Sequence, residues 1–537
     1  MNNLIRQSIK VSNKTVTGLR CFSTGFTKFT ETPMGVFADQ LFLQPVNPAT
    51  ERPIKDIKID TRATLTQKFE RAYLYKKEWK YVSQTEKANM IIKFRDLLVE
   101  KVESLANDLT EETGKPITQS KNEIKAVVDR INFFLYNFSS CLAERSVRTT
   151  DNFRESLSYE PLGVVGNISA WNYPFFIGLN TIIPALLTGN TVLYKPSEFA
   201  SITGVNIMNL LYEAGVPESA FQIVLGKSVI GQSMLSLPLD GLFFTGSYNT
   251  GKHIAETLGG RMIKTQLELG GKDAAYVHKN VDIKAAARSL ADGAMYNTGQ
   301  SCCSVERIYV DKEIYAEFVV RLTDEVAELQ MGIDPKSAST YFGPLTRGPA
   351  QIEHMLRLVS DAVVRGAQIA LGGGQVKGTP GYFFSPTIIV DVDHSMAVTK
   401  EEIFGPMVTV QPVSGPQEAA ELMNDTPYGL TGSVYTNDAS VADFICDQSN
   451  TGTVYWNACD RVSPYLPWSG RGHSGIGSTL GVEGIFSFLK PKARHYISDK
   501  PGAFGEPSNS NIVPTQPISK ENISQFIEES YETNKKN

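Results

Sequence analysis

A succession of short apolar runs between residues 162 and 277 constrains the fold of this 537-residue chain more than any other feature. Each run has the length of a strand, and helix-length segments separate most of them. The runs cover residues 162–169, 191–194, 221–225, 241–244 and 273–277. Buried parallel strands have this composition, because helices cover both of their faces. The pattern therefore predicts an α/β fold built on a parallel sheet.

Polar and small residues follow the predicted strands. Trp171-Asn172 comes after the first strand, Lys195 to Glu198 after the second, and Gly246-Ser247 after the fourth. Ligands of parallel sheets bind beyond the carboxyl ends of the strands, so this edge is the predicted place of a dinucleotide site. The usual GxGxxG sequence is absent. Gly246 and Gly251 open a predicted helix that is able to hold a phosphate, although a glycine pair before a helix is usually only a turn.

A cysteine and a glutamate supply the candidate chemistry. Cys302 lies in the segment MYNTGQSCCSVER, between a polar turn and a predicted strand at 307–310, and Glu268 precedes the diglycine Gly270-Gly271. A thiolate is a nucleophile, and a nearby carboxylate is able to act as a base. The residues alone leave two other interpretations open: Cys302 as a small buried side chain, and Glu268 as a solvated loop charge.

Several segments, in order along the chain, carry a resemblance to a known family. From about residue 35 to about residue 495 the chain resembles the NAD(P)-dependent aldehyde dehydrogenase superfamily. Any one of the segments is a weak signal, and seven in register are a strong one. They are Ala170-Trp-Asn-Tyr-Pro174, Pro184-Ala-Leu-Leu-Thr-Gly-Asn190, Lys195-Pro-Ser-Glu198, Phe244-Thr-Gly-Ser247, Glu268-Leu-Gly-Gly-Lys272, Gly299-Gln-Ser-Cys302 and Glu401-Glu-Ile-Phe-Gly-Pro406.

The resemblance implies a domain organisation. It predicts a Rossmann-like NAD-binding domain, an α/β catalytic domain and a small β-strand bridging element for oligomerisation. The predicted NAD-binding domain covers 31–147 and 162–273, the catalytic domain 274–480, and the bridging element 148–161 and 481–500. Two stretches of that element, 156–161 and 486–496, are expected to pair as strands and to reach a neighbouring subunit, giving a homodimer or a homotetramer.

The resemblance also implies a reaction: NAD-dependent oxidation of an aldehyde to a carboxylic acid. Cys302 matches the nucleophile that forms a thiohemiacetal and then a thioester, and Asn172 matches the side chain that stabilises the oxyanion together with the Cys302 amide. Glu268 matches the base that activates water. Relatives that transfer the acyl group to coenzyme A typically lack this glutamate, so a free acid is favoured. The alternatives are an inactive NAD-binding protein on the same fold, and acylating or esterase activity at Cys302.

The cofactor implied by the resemblance is NAD, with NADP as a second possibility. Glu198 matches a carboxylate at the adenosine ribose, where it would repel a 2′-phosphate, whereas Lys195 would tolerate one. Gly246 and Ser247 match the pyrophosphate contacts. The remaining matching cofactor positions are Trp171, Leu269, Glu402 and Phe404.

The sequence constrains the choice of substrate less than it constrains the reaction or the cofactor. Tyr173, Ile177 and Trp468 match positions in the substrate tunnel of the family, which favours an apolar or aromatic aldehyde, and they are equally typical of core residues. Cys459 and Asp460 lie in a segment that departs from the commonest family sequence. No arginine is assigned to the pocket, so the sequence gives no argument for an aldehyde that carries a carboxylate.

Composition excludes several other classes of protein. The formal charge of −5 argues against nucleic acid as a partner, and no apolar run reaches the roughly 18 residues of a membrane span. The six cysteines lack CxxC spacing, and the six histidines lack an HExxH motif, so neither a disulfide scaffold nor a metal site is predicted.

The two ends of the chain differ from the rest. Residues 1–30 carry five lysines or arginines and no acidic residue, a composition typical of a mitochondrial targeting leader. The location predicted is therefore the mitochondrial matrix, and the alternative is a basic leader without an address on a cytoplasmic protein. Residues 501–537 are rich in Pro, Ser, Asn and Glu and are predicted to be a mostly disordered tail, with room for a short helix at 518–531.

Overall fold

The computed structural model describes residues 41–504 and the two-residue strand Ser508–Asn509. The predicted leader at 1–30 lies outside the described residues, and so does most of the predicted tail, including its predicted helix. The described chain forms two large β-sheets with helices and one smaller antiparallel sheet. The prediction of an α/β fold with parallel sheets is confirmed.

The first sheet has six strands, five of them parallel. From Val164–Ile168 the next two strands in sequence extend the sheet to one edge. The following strand pairs on the other side of Val164–Ile168, so the strand order reverses at that point. The sixth strand pairs antiparallel at the edge. In spatial order the strands are Gly475–Ile476, Lys264–Glu268, Gly241–Thr245, Val164–Ile168, Thr191–Lys195 and Phe221–Ile223.

The second sheet has seven strands, and all but one of its pairings are parallel. Its central strand, Val305–Asp311, is buried along its whole length and follows Cys302 directly in sequence. In spatial order the strands are Gln368–Leu371, Thr387–Val390, Met407–Val413, Val305–Asp311, Asp273–Val277, Thr431–Tyr435 and Thr453–Trp456.

The third sheet contains the two stretches predicted to pair. Phe153–Pro161 and Leu489–Ile497 run antiparallel along nine residues each, so the predicted pairing is confirmed. Arg145–Thr149 and Ser508–Asn509 complete this sheet. Leu489–Ile497 is its edge strand, and most of its side chains are exposed. Two further pairs of two-residue strands lie near the start, Phe42–Leu43 with Ile57–Lys58 and Val46–Asn47 with Arg52–Pro53.

Fifteen α-helices pack around the sheets within the described residues. None of them is both long enough and apolar enough to cross a membrane. The helices are Arg62–Tyr81, Gln84–Glu100, Val102–Thr113, Ile117–Leu142, Pro174–Leu187, Ser201–Glu213, Ser228–Leu235, Tyr248–Leu258, Ile283–Met295, Tyr315–Glu328, Pro349–Val364, Ala397–Lys400, Pro416–Asn424, Ala439–Gln448 and Gly481–Phe486.

Sequence and structure differ at two elements. Apolar residues spaced by three or four from Ile91 to Leu109 predict a single helical stripe, and the structure has two helices, because the chain leaves the helical conformation at Lys101. The strand Lys264–Glu268 was not predicted, because its first residues are polar. Glu268 is the buried last residue of this strand, so the interpretation as a solvated loop charge is wrong. The helix Arg62–Tyr81 lies in the region after residue 60 that the sequence predicts as helical.

Candidate active site

A pocket of about 420 Å³ opens where the strand order of the first sheet reverses. Residues 170–172 line it after the strand Val164–Ile168, and residues 245–247 line it after Gly241–Thr245. The other walls come from segments that precede strands of the second sheet, around 269–270, Cys302 and 402–404, and from residues between 347 and 354 at the start of the helix Pro349–Val364. The predicted dinucleotide edge and the predicted nucleophile therefore meet in one pocket, as a ligand site at a topological switch point requires.

A tight left-handed turn places Cys302. Asn297, Thr298 and Gly299 all have positive φ, from 54° to 66°. A Cβ on Gly299 would lie 2.1 Å from the carbonyl oxygen of Gly405, so only glycine fits there. The turn ends at the half-buried Cys302, whose side chain lines the pocket. The interpretation of Cys302 as a fully enclosed core cysteine does not fit this position.

Asn172 is held against the same turn. Its Nδ2 donates to the carbonyl oxygen of Gln300 at 3.2 Å, and Nδ2 of Asn297 donates to the carbonyl oxygen of Asn172 at 3.0 Å. Asn172 is buried and lines the pocket beside Cys302. A fixed amide donor next to a thiol is suited to stabilise an oxygen that gains negative charge.

The diglycine Gly270-Gly271 allows a close approach of three segments. A Cβ on Gly271 would lie 2.2 Å from the carbonyl oxygen of Cys302, and a Cβ on Gly270 would lie 2.5 Å from the Glu402 carboxyl oxygens. The Gly271 amide donates to Glu402 Oε1 at 3.0 Å. The diglycine therefore packs between the nucleophile and the Glu402 loop, where any side chain would collide.

Glu268 is buried at the end of its strand and does not belong to the walls of the pocket. Gln266 Nε2 donates to Glu268 Oε1 at 2.9 Å, and the Trp468 side chain forms a second hydrogen bond to the carboxyl group. Burial raises the pKa of Glu268 well above its ordinary value, and the two hydrogen bonds oppose that rise. Burial thus favours the protonated acid, and the two hydrogen bonds favour the carboxylate that is able to act as a base.

Glu306, on the central strand of the second sheet, holds the Glu402 loop in place. Glu306 accepts the backbone N–H groups of Ile403 and Phe404 at 2.9 to 3.0 Å, and it forms a buried ion pair with Lys272 at 2.6 Å. Burial raises the pKa of Glu402 to about 8. The loop therefore presents a carboxyl group that is largely protonated at neutral pH.

The predicted cofactor residues divide into two groups. Trp171, Gly246, Ser247, Leu269, Glu402 and Phe404 all line the pocket. The Trp171 ring packs edge-on against Phe404, with 5.5 Å between ring centroids, and against Phe199 at 6.3 Å. Lys195 and Glu198 do not line it. They lie after the neighbouring strand, where Lys195 is buried and donates to the Pro196 carbonyl oxygen at 3.2 Å.

The predicted substrate residues are not gathered in this pocket. Tyr173 and Ile177 begin the helix Pro174–Leu187, and Tyr173 stacks on Phe176 with 5.8 Å between ring centroids. Trp468 is buried and lies against Glu268. The structure therefore associates Trp468 with the candidate base, a contact that its place in the sequence did not indicate.

Cys303 points to a second carboxyl group. Its Sγ donates to Asp460 Oδ1 at 2.9 Å. Burial raises the pKa of Asp460 to about 7, and the pKa of the Cys303 thiol is raised well above its ordinary value, first by its hydrogen bond with Cys302 and then by burial. Cys303 is therefore held as a neutral thiol next to Cys302. All five cysteines within residues 41–504 are free thiols.

Sequence reasoning missed three residues that line the pocket: Arg347, Gln351 and His354. Gln351 Nε2 donates to the Ile403 carbonyl oxygen at 2.7 Å, and His354 Nε2 lies 2.9 Å from the Glu402 carbonyl oxygen. Gln351 and His354 are three residues apart on the helix Pro349–Val364, so they share one face. That spacing was the available signal, but a polar face usually faces solvent.

Comparison with known proteins places this geometry in a family. The model of the aldehyde dehydrogenase family matches residues 38–493. An aldehyde dehydrogenase of Aspergillus niger is 31% identical over 486 residues, which are 87% of this chain and 95% of that protein. A succinate-semialdehyde dehydrogenase [NADP(+)] of Deinococcus radiodurans is 32% identical over 86% of this chain and 96% of its own length.

The solved structures agree. The NAD-dependent aldehyde dehydrogenase of Sinorhizobium meliloti superimposes with a TM-score of 0.83 at 29% identity, covering 86% of this chain and 93% of that one. These relatives include proteins named for NAD and for NADP. The comparisons therefore identify the family and leave the choice between the two cofactors open.

Proposed function

The chain belongs to the aldehyde dehydrogenase family and is an oxidoreductase that acts on aldehydes, and we propose that it uses NAD and releases a free carboxylic acid. One observation carries the proposal. The half-buried thiol of Cys302, the Asn172 amide and the Glu402 loop line one pocket. That pocket lies at the switch point of the first sheet. This shared enclosure supports the proposed roles of nucleophile, oxyanion donor and dinucleotide site.

Cys302 is the proposed nucleophile. Its sulfur adds to the aldehyde carbon, and the oxygen of the resulting thiohemiacetal receives hydrogen bonds from the Asn172 side chain and the Cys302 amide. The nicotinamide, when bound, would accept the hydride that leaves the thiohemiacetal carbon, and Cys302 would then carry a thioester. Glu268, once deprotonated, takes a proton from the water that hydrolyses it.

The residues of the pocket fit a dinucleotide. Gly246 and Ser247 precede the eleven-residue helix Tyr248–Leu258, whose first amides are free to bind a phosphate. A Cβ on Gly251 of that helix would lie 2.4 Å from the Leu269 side chain, so glycine brings the helix end close to the pocket wall. The preference for NAD over NADP is supported by Glu198, whose carboxylate repels a 2′-phosphate, and opposed by the neighbouring cation of Lys195.

The test uses purified protein without residues 1–30, a panel of aldehydes, and either NAD or NADP. We expect NADH formation that is lost in Cys302→Ala, together with a free acid as product. The same experiment separates the alternative activities. An acyl-thioester formed only in the presence of coenzyme A would assign the chain to the acylating class. Folded protein that binds NAD and turns over no aldehyde would contradict the proposal.

Two further parts of the proposal concern location and assembly. The basic composition of residues 1–30 supports import into the mitochondrial matrix, and a fluorescent fusion to these residues is expected to locate there and not in the cytoplasm.

The exposed edge strand Leu489–Ile497 supports a homodimer or homotetramer, because unpaired strand edges are usually covered. Light scattering should give two or four times the monomer mass, and a monomer would contradict this part.

A further inference from the structure

Arg130 is a buried cation without a counter-ion among the described residues. It lies on the helix Ile117–Leu142 and is 7% exposed. Its Nη1 donates to Asn180 Oδ1 at 3.1 Å, and within the described residues its guanidinium forms no ion pair. Burial lowers the pKa of Arg130 to about 10, so the group stays charged at neutral pH. A buried charge without a partner destabilises a fold, which makes it a candidate for function.

Most donors of Arg130 have no acceptor within the described residues. A guanidinium carries five N–H groups, and Nη1 is the one nitrogen of Arg130 with an acceptor in that part of the chain. The residue keeps 7% of its surface accessible. Donors without an acceptor are available to a ligand.

The surroundings of Arg130 leave a net positive charge. Glu123 is the nearest carboxylate that opposes it, and Glu123 already pairs with the buried Lys115 and accepts the amides of Phe175 and Phe176. Two cations against one carboxylate leave one positive charge unbalanced. An anion that enters from outside would complete the group.

Arg130 also lies near the reacting centre. Its guanidinium carbon is 3.7 Å from the centroid of the Phe176 ring, and Phe176 stacks on Tyr173, the residue after the proposed oxyanion donor Asn172. The charge of Arg130 interacts with Cys303, the neighbour of the nucleophile. A molecule attached to Cys302 is therefore within the field of this cation.

We propose that Arg130, positioned by Asn180 and Phe176, binds a carboxylate on the substrate, so that the preferred aldehydes carry a second, acidic group. The planar fork of a guanidinium matches the two oxygens of a carboxylate. This inference rests on the proposed function of Cys302. It gives a role in substrate binding to an arginine that the sequence alone did not single out.

Asp460 supplies the opposing hypothesis. Its carboxyl group lies at Cys303, the neighbour of the nucleophile, and it would favour an aldehyde that carries an ammonium group. Arg130 and Asp460 therefore predict opposite selectivity. Asp460 already accepts the Cys303 thiol, whereas most donors of Arg130 have no acceptor in the part of the chain that the structure describes. The acidic substrate is therefore favoured.

The experiment compares aldehydes of equal chain length that end in a carboxylate, a methyl or an ammonium group. The readout is the ratio of kcat/KM for the acidic and the neutral aldehyde, measured on one preparation, so that differences in the folded fraction cancel. We expect Arg130→Gln to lower this ratio by about 10- to 150-fold, the usual effect of removing a hydrogen-bonded charge. Arg130→Lys should recover part of it, and Asp460→Asn should leave it unchanged or raise it.

A matched control is Arg95→Gln. Arg95 donates to Asn132, an asparagine on the helix that carries Arg130, at 2.9 Å. Its replacement should leave the ratio of kcat/KM unchanged. Equal losses for acidic and neutral aldehydes in Arg130→Gln would assign Arg130 a structural role and overturn the inference, as would a preference for the ammonium aldehyde that Asp460→Asn removes. If no aldehyde, neutral ones included, gives NADH that depends on Cys302, the proposed function itself fails.

Discussion

The hydrogen bond from Gln266 to Glu268 gives a prediction that ties one buried side chain to the pH dependence of the reaction. Gln266→Met keeps the approximate volume of a buried residue and removes the donor that lies 2.9 Å from the carboxyl oxygen. Burial favours the protonated acid, and the bond from Gln266 favours the carboxylate. Its removal therefore raises the pKa of Glu268 further.

The size of the effect follows from the kind of bond that is lost. A hydrogen bond to a charged group contributes about 1.5 to 3 kcal/mol. A factor of ten in an ionisation equilibrium corresponds to about 1.4 kcal/mol, so at a pH below the pKa of Glu268 the ionised fraction should fall about 10- to 150-fold. As the pH rises through the raised pKa, wild type and variant should converge, because both carboxyl groups are then ionised.

The assay follows NADH by stopped flow from about pH 6 to about pH 9.5, where a burst reports hydride transfer and the later steady rate reports hydrolysis of the thioester. The steady rate of Gln266→Met should be most impaired at low pH, while the burst persists. Trp468→Phe, which removes the second donor, should behave in the same way. Gln222→Met is the matched control, since Gln222 is a buried glutamine of the same sheet that bonds the Glu218 carbonyl oxygen. A variant-to-wild-type ratio that stays constant with pH would refute the reasoning.

Three other outcomes are expected. Cys302→Ala should abolish NADH formation while NAD binding, measured by calorimetry, is retained, and loss of binding as well would point to misfolding. Asn172→Ala should lower kcat about 100- to 1,000-fold, the usual cost of an oxyanion donor, and an effect confined to KM would contradict that role. Lys272→Met, which leaves Glu306 buried and unpaired, should lower the free energy of unfolding by about 3 to 5 kcal/mol in a denaturant titration, and an unchanged midpoint would show that the pair is not needed for stability.

The parts of the fold that were predicted from sequence are those with a strong local signal. The strand Asp273–Val277 was predicted with its observed bounds, because it is an unbroken apolar run that is buried along its length. The strand Lys264–Glu268 gave no such signal, since its polar first half is exposed and only tertiary packing makes it a strand. The break at Lys101 was hidden, because apolar spacing continues across two consecutive helices.

The candidate site was predictable where the chain carries a motif. Cys302, Asn172 and Glu402 were located by the resemblance, and the structure brings them to one pocket. Gln351 and Arg130 stand in ordinary helices, where a polar residue usually faces solvent. Only the three-dimensional neighbours reveal that one bonds the Glu402 loop and the other is buried beside aromatic rings. Long-range contacts of this kind leave no periodic trace in a single sequence.

One short strand fixes the Cys302 sulfur and the 401–406 loop relative to each other. Val305–Asp311 starts three residues after Cys302, and its Glu306 grips the backbone of residues 403 and 404. Cys302 and the backbone of residues 403 and 404 are thus both attached to the same buried strand. An engineer who wishes to transplant the 401–406 loop into another scaffold must carry Glu306 and Lys272 along, or the separation between that loop and Cys302 will no longer be set.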